Sequence, residues 1–181
     1  MSSTKSKSIL WAQFFNPKKN KSANTIDLLK ENILFSTLSN KELLYLSNFV
    51  YERTYEAKEP IFKQNDRGFG MYIITRGVIG IKQEHAGTPS DYILTLGKGE
   101  FFGELSLIDT EALRSASATA IEPSTLIGLF KPDLMEIIER KPTMGIKILL
   151  QLAQVLGQRL VESTDRISEL ENEKLRLHQQ K

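Results

Sequence analysis

Short apolar runs separated by glycines occupy residues 53–130 and restrict the fold more than any other feature of the sequence. Runs of this length, rich in β-branched and aromatic residues, are typical of β-strands. The segments between them are too short for the helical crossovers that a parallel sheet needs. The sequence therefore predicts an antiparallel sandwich or barrel, with strands at residues 61–62, 71–75, 78–82, 92–96, 117–121 and 125–130. The residues Thr75-Arg76-Gly77 predict a tight hairpin between two of these strands.

Helical patterns flank this strand-rich segment on both sides. Apolar residues at helical spacing precede it, and Ser39 with Glu42 three positions later predicts a capping box at the start of a second short helix. After the strands, Lys131-Pro132-Asp133 predicts a helix that Pro142 ends, and a long helix follows. The chain is therefore predicted to be an α+β protein in three parts: an arm at residues 1–23, a β domain with flanking helices at residues 24–141, and a long helix at residues 142–181.

The predicted arm is strongly basic, whereas the rest of the chain is slightly acidic. The arm has five lysines and no acidic residue, and the remaining 158 residues have 19 basic and 22 acidic side chains, a net charge of −3. A nucleic-acid-binding body would itself be basic, so we expect no nucleic-acid partner. The apolar residues Ile9-Leu10-Trp11 and Phe14-Phe15 leave two alternatives for the arm. It forms an amphipathic helix on a partner protein or an anionic membrane surface, or it packs against its own domain.

The residue types present exclude several classes of site. The chain has no cysteine, which excludes disulfides and thiolate metal sites. Its two histidines, His85 and His178, are too few for a metal centre that needs several histidines, and no pair of nucleophile and base is evident. We therefore expect no catalytic activity, metal or cofactor. No apolar run approaches the ~18 residues of a membrane span, and no signal peptide is evident, which predicts a cytoplasmic protein.

The long helix contains an apolar seam in alternating steps of four and three residues. Seven of its nine positions are apolar, and Ser163 and Lys174 are the exceptions. The seam consists of Leu149, Ala153, Leu156, Leu160, Ser163, Ile167, Leu170, Lys174 and Leu177. Beyond Leu160 the flanking residues are mostly charged, which favours a two-stranded coiled coil and hence a homodimer. The alternative is a helix that lies on its own β domain, and we expect this for its first two turns.

The candidate binding site lies in residues 99–118, around Glu104 and Arg114. Gly103 permits a close backbone approach, and the next residues can form a turn of helix whose free N–H groups face an anion. The Arg114 guanidinium can bind phosphate oxygens in a bidentate manner, and the Ser115 hydroxyl adds a donor. Glu104 would repel phosphate but can accept a hydrogen bond from a sugar hydroxyl. These residue types suit a ligand with phosphate and ribose; the alternative is that Glu104 and Arg114 pair with each other on the surface.

Residues 102–107 and 114–116 resemble the phosphate-binding cassette of cyclic nucleotide-binding domains, and the similarity extends from about Leu34 to the long helix. It includes residues 35–39, 61–64 and 71–74. The resemblance implies a jelly-roll-like antiparallel β-roll with leading helices and a long C-terminal helix. It also implies that Glu104 and the Gly103 backbone bind the ribose 2′-hydroxyl and that Arg114 and Ser115 bind the cyclic phosphate. Leu105 and Ala116 complete the implied cassette.

The sequence departs from the family pattern in two places. Asn65 stands where a glycine is usual, and we expect little effect because asparagine tolerates the left-handed conformation. Residues 109–113 lack the usual glycine or proline and add Asp109 and Glu111 near the phosphate position. These two acids either point outward or weaken binding.

In this family the long helix usually covers the purine, often at a dimer interface. Residues 158–164 resemble the family segment that ends in adenine-contacting hydroxyls, which favours Ser163 and Thr164 as purine contacts, with Arg159 as the alternative. Ser115, rather than threonine, favours cAMP over cGMP.

The resemblance therefore implies a homodimeric receptor whose ligand repositions the C-terminal helix against an unidentified protein partner. Only a helix is predicted after residue 142, so we do not expect a helix-turn-helix or direct DNA binding. The alternative function is a scaffold or adaptor with a degenerate pocket.

Overall fold

The computed structural model describes residues 23–84, 94–109, 111 and 113–179. The predicted basic arm, apart from Ala23, and His85 lie outside these residues. The strands are β1 Val50–Tyr55, β2 Pro60–Phe62, β3 Gly70–Arg76, β4 Ile79–Lys82, β5 Leu94–Leu96, β6 Phe101–Phe102, β7 Ser117–Ala120 and β8 Ser124–Phe130. The helices are α1 Ala23–Glu31, α2 Asn40–Leu46, α3 Leu105–Ile108, α4 Lys131–Arg140 and α5 Pro142–Gln179, with a 3-10 turn at Ile33–Phe35.

The strands form two antiparallel sheets, which confirms the predicted class of fold. Their orders are β1-β8-β3-β6 and β2-β7-β4-β5. Strand β3 is buried on both faces: Met71 and Ile73 belong to the core that the helices cover, whereas Tyr72 and Ile74 belong to the core shared with the strands of the second sheet. A strand buried on both faces is apolar throughout, which explains why this segment does not alternate between apolar and polar residues.

The prediction of a hairpin at residues 75–77 is wrong. Strand β3 pairs with β8 and β6, whereas β4 pairs with β5 and β7, so the turn connects strands of different sheets. Because β8 and β6 already occupy both edges of β3, no edge is left for β4. Gly77 has a φ of +89°, and a Cβ at this position would overlap the Ser124 side chain, so the sharp turn needs glycine.

The predicted capping box at the start of α2 is confirmed. The Glu42 backbone N–H donates to Ser39 Oγ at 3.4 Å, and the Ser39 backbone N–H donates to Glu42 Oε2 at 2.7 Å. Lys147 Nζ on α5 also donates to Glu42 Oε1 at 2.9 Å. The bond from Ser39 and the contact with Lys147 together lower the pKa of Glu42 to about 2. Glu42 therefore caps α2 and connects it to the long helix.

Helix α5 begins on the domain and then extends beyond it. Met144, Ile148, Leu152 and Val155 are buried in the core beneath the first sheet, which confirms that the first turns lie on the chain's own domain. Residues 161–170 are all exposed. Within the described part of the chain, no helix has the length and apolar content that a membrane span requires.

Candidate functional site

A cavity of about 850 Å³ lies between the segment that follows β6, the segment that precedes β7, and helix α5. Most of the predicted site residues line this cavity. They are Gly103, Glu104, Leu105, Arg114, Ser115, Ala116, Arg159 and Ser163. Thr164 is not among the lining residues, and its hydroxyl donates to the Leu160 carbonyl at 2.9 Å. The structure thus brings eight of the nine predicted residues together across three separate segments of the chain.

Gly103 begins the turn that carries the site. Strand β6 ends at Phe102, Gly103 adopts a φ of +75°, and α3 starts two residues later, as the sequence predicts. A Cβ on Gly103 would overlap Nη1 of Arg114. Glycine is therefore required both for the left-handed conformation and for the close approach of the guanidinium.

The Arg114 side chain is fixed by protein contacts and is only 6% exposed. Nη1 donates to the Gly103 carbonyl at 3.1 Å and to Ser106 Oγ at 2.9 Å, and Nη2 donates to the Gly70 carbonyl at 2.9 Å. The guanidinium carbon lies 4.0 Å from the centre of the Phe62 ring, an attractive cation–π contact. Nε is buried and has no hydrogen-bond partner in the described residues. An arginine held in this way offers an unpaired donor to a ligand.

Electrostatics also favour an anion beside Arg114. Burial lowers the pKa of Arg114. The nearby side chains of Tyr72, Glu104 and Asp66 raise this pKa, but by less than burial lowers it. An arginine nevertheless stays charged in proteins. No carboxylate of the described residues forms an ion pair with it. A buried cation without a paired carboxylate is costly, and a bound phosphate would offset that cost.

Glu104 pairs with Arg159 of α5, not with Arg114. Nη1 of Arg159 donates to Glu104 Oε1 at 2.5 Å, and Nη2 donates to the Phe101 carbonyl at 3.2 Å. The Arg159 guanidinium also lies over the Phe101 ring, 4.7 Å from its centre. The alternative of a simple Glu104–Arg114 surface pair is therefore wrong. Arg159 thus lies next to Glu104, the residue predicted to bind the ribose. Ser163 lies one helical turn further along the cavity wall.

The two departures from the family pattern leave the cavity intact. Asn65 has a φ of +68°, the left-handed conformation that asparagine tolerates, and its backbone N–H donates to the Arg114 carbonyl at 2.8 Å. Asp109 and Glu111 are exposed and do not line the cavity. Glu111 Oε2 instead lies 4.0 Å from Nη2 of Arg67. The added acids therefore point away from the phosphate position.

Sequence reasoning missed two kinds of contact at this site. Ser106 and Phe62 both contact the Arg114 guanidinium, and neither was predicted as a site residue. A serine between Leu105 and Leu107 is a polar interruption that could have indicated the first. The Gly70 carbonyl has no sequence signal, because any residue type would provide it.

Comparison with known proteins agrees with this geometry. The family model for the cyclic nucleotide-binding domain matches residues 52–141. The cyclic AMP receptor protein of Thermus thermophilus is 36% identical over 135 residues, which cover 75% of this chain and 60% of that relative. The type II regulatory subunit of cAMP-dependent protein kinase from Drosophila melanogaster is 34% identical over 94 residues, 52% of this chain and 24% of the subunit. This chain thus spans 60% of the length of the first relative and 24% of the second.

Solved structures share the fold. The catabolite activator protein of Thermus thermophilus superposes with a TM-score of 0.69 at 34% identity, over 77% of this chain and 63% of that one. A cyclic nucleotide-binding domain from Methylobacillus flagellatus gives a TM-score of 0.70 at 28% identity, over 80% of each chain. The β-roll, its cassette and these matches together show that the chain belongs to the cyclic nucleotide-binding domain family.

Proposed function

We propose that this chain is a cyclic nucleotide receptor and that Arg114 binds the cyclic phosphate. The observation that carries the proposal is the buried Arg114 guanidinium, whose Nε has no partner among the described residues, on the wall of a cavity that also contains Glu104. Ser115 on the same wall provides a hydroxyl donor. The Glu104 carboxylate would accept a hydrogen bond from the ribose 2′-hydroxyl. Phosphate and ribose are thereby bound by residues 103–115.

The proposed ligand is cAMP rather than cGMP. Ser115 is the residue that favours this choice, and the relatives named above include a cyclic AMP receptor and a subunit of a cAMP-dependent kinase. Ser163 lines the cavity and is the proposed purine contact from α5. Thr164 is exposed on the same helix and would contact the purine only after a change in the position or pairing of α5.

The proposed signal is a movement of α5. Arg159 connects this helix to Glu104, the same carboxylate that would bind the ribose. A ligand shifts a helix only through its different affinity for the two positions of that helix. Arg159 and the ribose 2′-hydroxyl would both bind the Glu104 carboxylate, so a bound ligand would change the contact that holds α5. A contact from Ser163 to the purine would add to the difference in affinity between the two positions of the helix.

The proposed assembly is a homodimer through α5, from which the signal passes to a partner protein. Large apolar side chains are exposed along the helix, among them Leu150, Leu160, Ile167, Leu170 and Leu177. Leu149 and Leu156 of the predicted seam pack partly against the chain's own core, whereas Leu150, Ala153, Gly157 and Leu160 are exposed in steps of three and four. A second copy covering this surface would remove the exposed apolar area from water. The cytoplasmic location remains a prediction.

Isothermal titration of the full chain with cAMP and with cGMP tests the proposed function. We expect saturable binding of both, with the tighter dissociation constant for cAMP. The matched control is 5′-AMP, which has the same base and sugar but no cyclic phosphate, and it should bind more weakly than cAMP. Absence of binding of both cyclic nucleotides at millimolar concentration would contradict the receptor function and favour a scaffold with a degenerate pocket.

A further inference from the structure

The hydrogen bonds of Arg114 leave one edge of its guanidinium available. An arginine has five N–H donors. Both Nη1 donors are used, by the Gly103 carbonyl and Ser106 Oγ, and one Nη2 donor is used by the Gly70 carbonyl. The Nε donor, which has no partner in the described residues, and the second Nη2 donor remain. The Nε and Nη2 atoms of a guanidinium share one edge, and such an edge can bind two oxygens of one phosphate.

Ser106 provides the one side-chain acceptor among these three contacts. Its hydroxyl is 2.9 Å from Nη1, and the residue is 3% exposed within α3. A Cβ on the neighbouring Gly68 would overlap both Oγ and Cβ of Ser106. Glycine at position 68 therefore leaves the space that the serine hydroxyl occupies beside the guanidinium. The other two acceptors are backbone carbonyls, which any sequence would provide.

The two ring contacts restrict the plane of the guanidinium but not its rotation within that plane. Phe62 lies beneath it at 4.0 Å, and Tyr72 lies further away at 5.8 Å. Contact with a ring face fixes the plane, whereas directional hydrogen bonds fix which edge faces the cavity. The hydrogen bonds of Nη1 to Ser106 and Gly103, with that of Nη2 to Gly70, therefore determine which edge faces the ligand.

We infer that Ser106 is a positioning residue that holds Nη1 of Arg114, so that the edge formed by Nε and Nη2 faces the cyclic phosphate. The inference rests on the proposed function, because it assigns a role within the same site. It extends that proposal by naming a residue of the cavity wall whose side chain acts through Arg114. It also explains why a polar side chain lies in the apolar sequence Leu105-Ser106-Leu107.

Ser106→Ala tests this role, because it removes the acceptor and keeps the Cβ that packs against Gly68. Alanine has the higher helix propensity, so α3 should remain folded, which a thermal unfolding curve would verify. The matched control is Ser124→Ala. Ser124 is another serine that is 2% exposed, and its hydroxyl donates to the Glu122 carbonyl at 2.7 Å outside the cavity.

The first measurement needs no nucleotide. Selective NMR of the arginine side chains reports rotation of the guanidinium about the bond between Nε and Cζ. We expect slow rotation at Arg114 in the wild type and in Ser124→Ala, and clearly faster rotation in Ser106→Ala. Equal rotation rates in Ser106→Ala and the wild type would overturn the inference, whether or not the chain binds a cyclic nucleotide.

The second measurement is a titration with cAMP. Loss of a hydrogen bond to a charged group predicts binding that is roughly tenfold to a hundredfold weaker in Ser106→Ala, with no change in Ser124→Ala. In the Arg114→Ala background, Ser106→Ala should have no further effect, since its role is to position Arg114. An equal loss in both backgrounds would show a structural role and overturn the inference. If the wild type fails to bind cAMP, the proposed function fails, and the NMR result alone decides whether Ser106 positions the guanidinium.

Discussion

Arg114→Ala should weaken cAMP binding far more than the loss of any other single positive charge near the cavity. The guanidinium is 6% exposed and has two N–H donors left after its three protein contacts. Two charge-assisted hydrogen bonds to phosphate, each worth about 1.5–3 kcal/mol, set an upper range near 6 kcal/mol. Removing one partner of a buried charge pair usually costs about 2–5 kcal/mol. The expected loss of affinity is therefore roughly thirtyfold to several thousandfold.

Arg67→Ala is the matched control for this prediction. Arg67 is also an arginine, but its side chain is 76% exposed, it lies 4.0 Å from Glu111, and it does not line the cavity. Removing an exposed charge should change affinity by about twofold or less, because solvent screens it.

The assay is isothermal titration of both variants, after thermal unfolding has shown that each is folded. This check matters because Arg114→Ala leaves the acceptors at Gly70, Gly103 and Ser106 without their donor. Equal affinity of Arg114→Ala and Arg67→Ala would refute the assignment of the phosphate to Arg114.

Three further predictions concern stability and assembly. Burial raises the pKa of Asp133 to about 6, so its contribution to the free energy of unfolding falls as pH rises from about 4 through 6. Asp133→Asn should remove roughly 1–3 kcal/mol of that pH dependence in denaturant titrations. Because the pKa of Glu42 is lowered to about 2, Glu42→Gln should destabilise the fold by about 1–2 kcal/mol at pH 7, and the difference should vanish as pH falls toward 2. A chain ending at Leu160 should be a monomer by light scattering, and the full chain a dimer.

Each of these predictions has a specific contradictory result. An Asp133→Asn variant with the same pH dependence as the wild type would show that the carboxyl is not buried as described. A Glu42→Gln variant whose deficit persists at pH 2 would indicate a packing effect instead of a charge effect. A dimeric chain ending at Leu160 would place the interface outside residues 161–179.

Local sequence signals were sufficient to predict most helices and strands of this fold. The capping box at Ser39, the helical turn after Gly103 and the left-handed Asn65 each depend on residues within a few positions of one another. Strand β1 was missed because its sequence, Val50–Tyr55, includes charged residues, and β6 was missed because it has only two residues. The turn at residues 75–77 was misjudged because the choice of a partner strand depends on β8 and β6, which are distant in sequence.

At the candidate site, too, residues close together in sequence could be predicted, whereas contacts between distant segments could not. Gly103, Glu104, Arg114 and Ser115 were predicted from one short segment and its resemblance to a family. The contact between Arg159 and Glu104 joins residues 55 positions apart, and only packing of α5 on the domain brings them together. Ser106 was missed because its role depends on the space that Gly68 leaves open.

A crystal structure of the full chain with cAMP is the most direct test of the central claim that residues 103–115 bind the ribose and the cyclic phosphate. We expect phosphate oxygens within hydrogen-bond distance of Nε and Nη2 of Arg114, and the ribose 2′-hydroxyl on the Glu104 carboxylate. A nucleotide bound elsewhere, or crystals grown at saturating cAMP whose cavity holds no nucleotide, would contradict the claim.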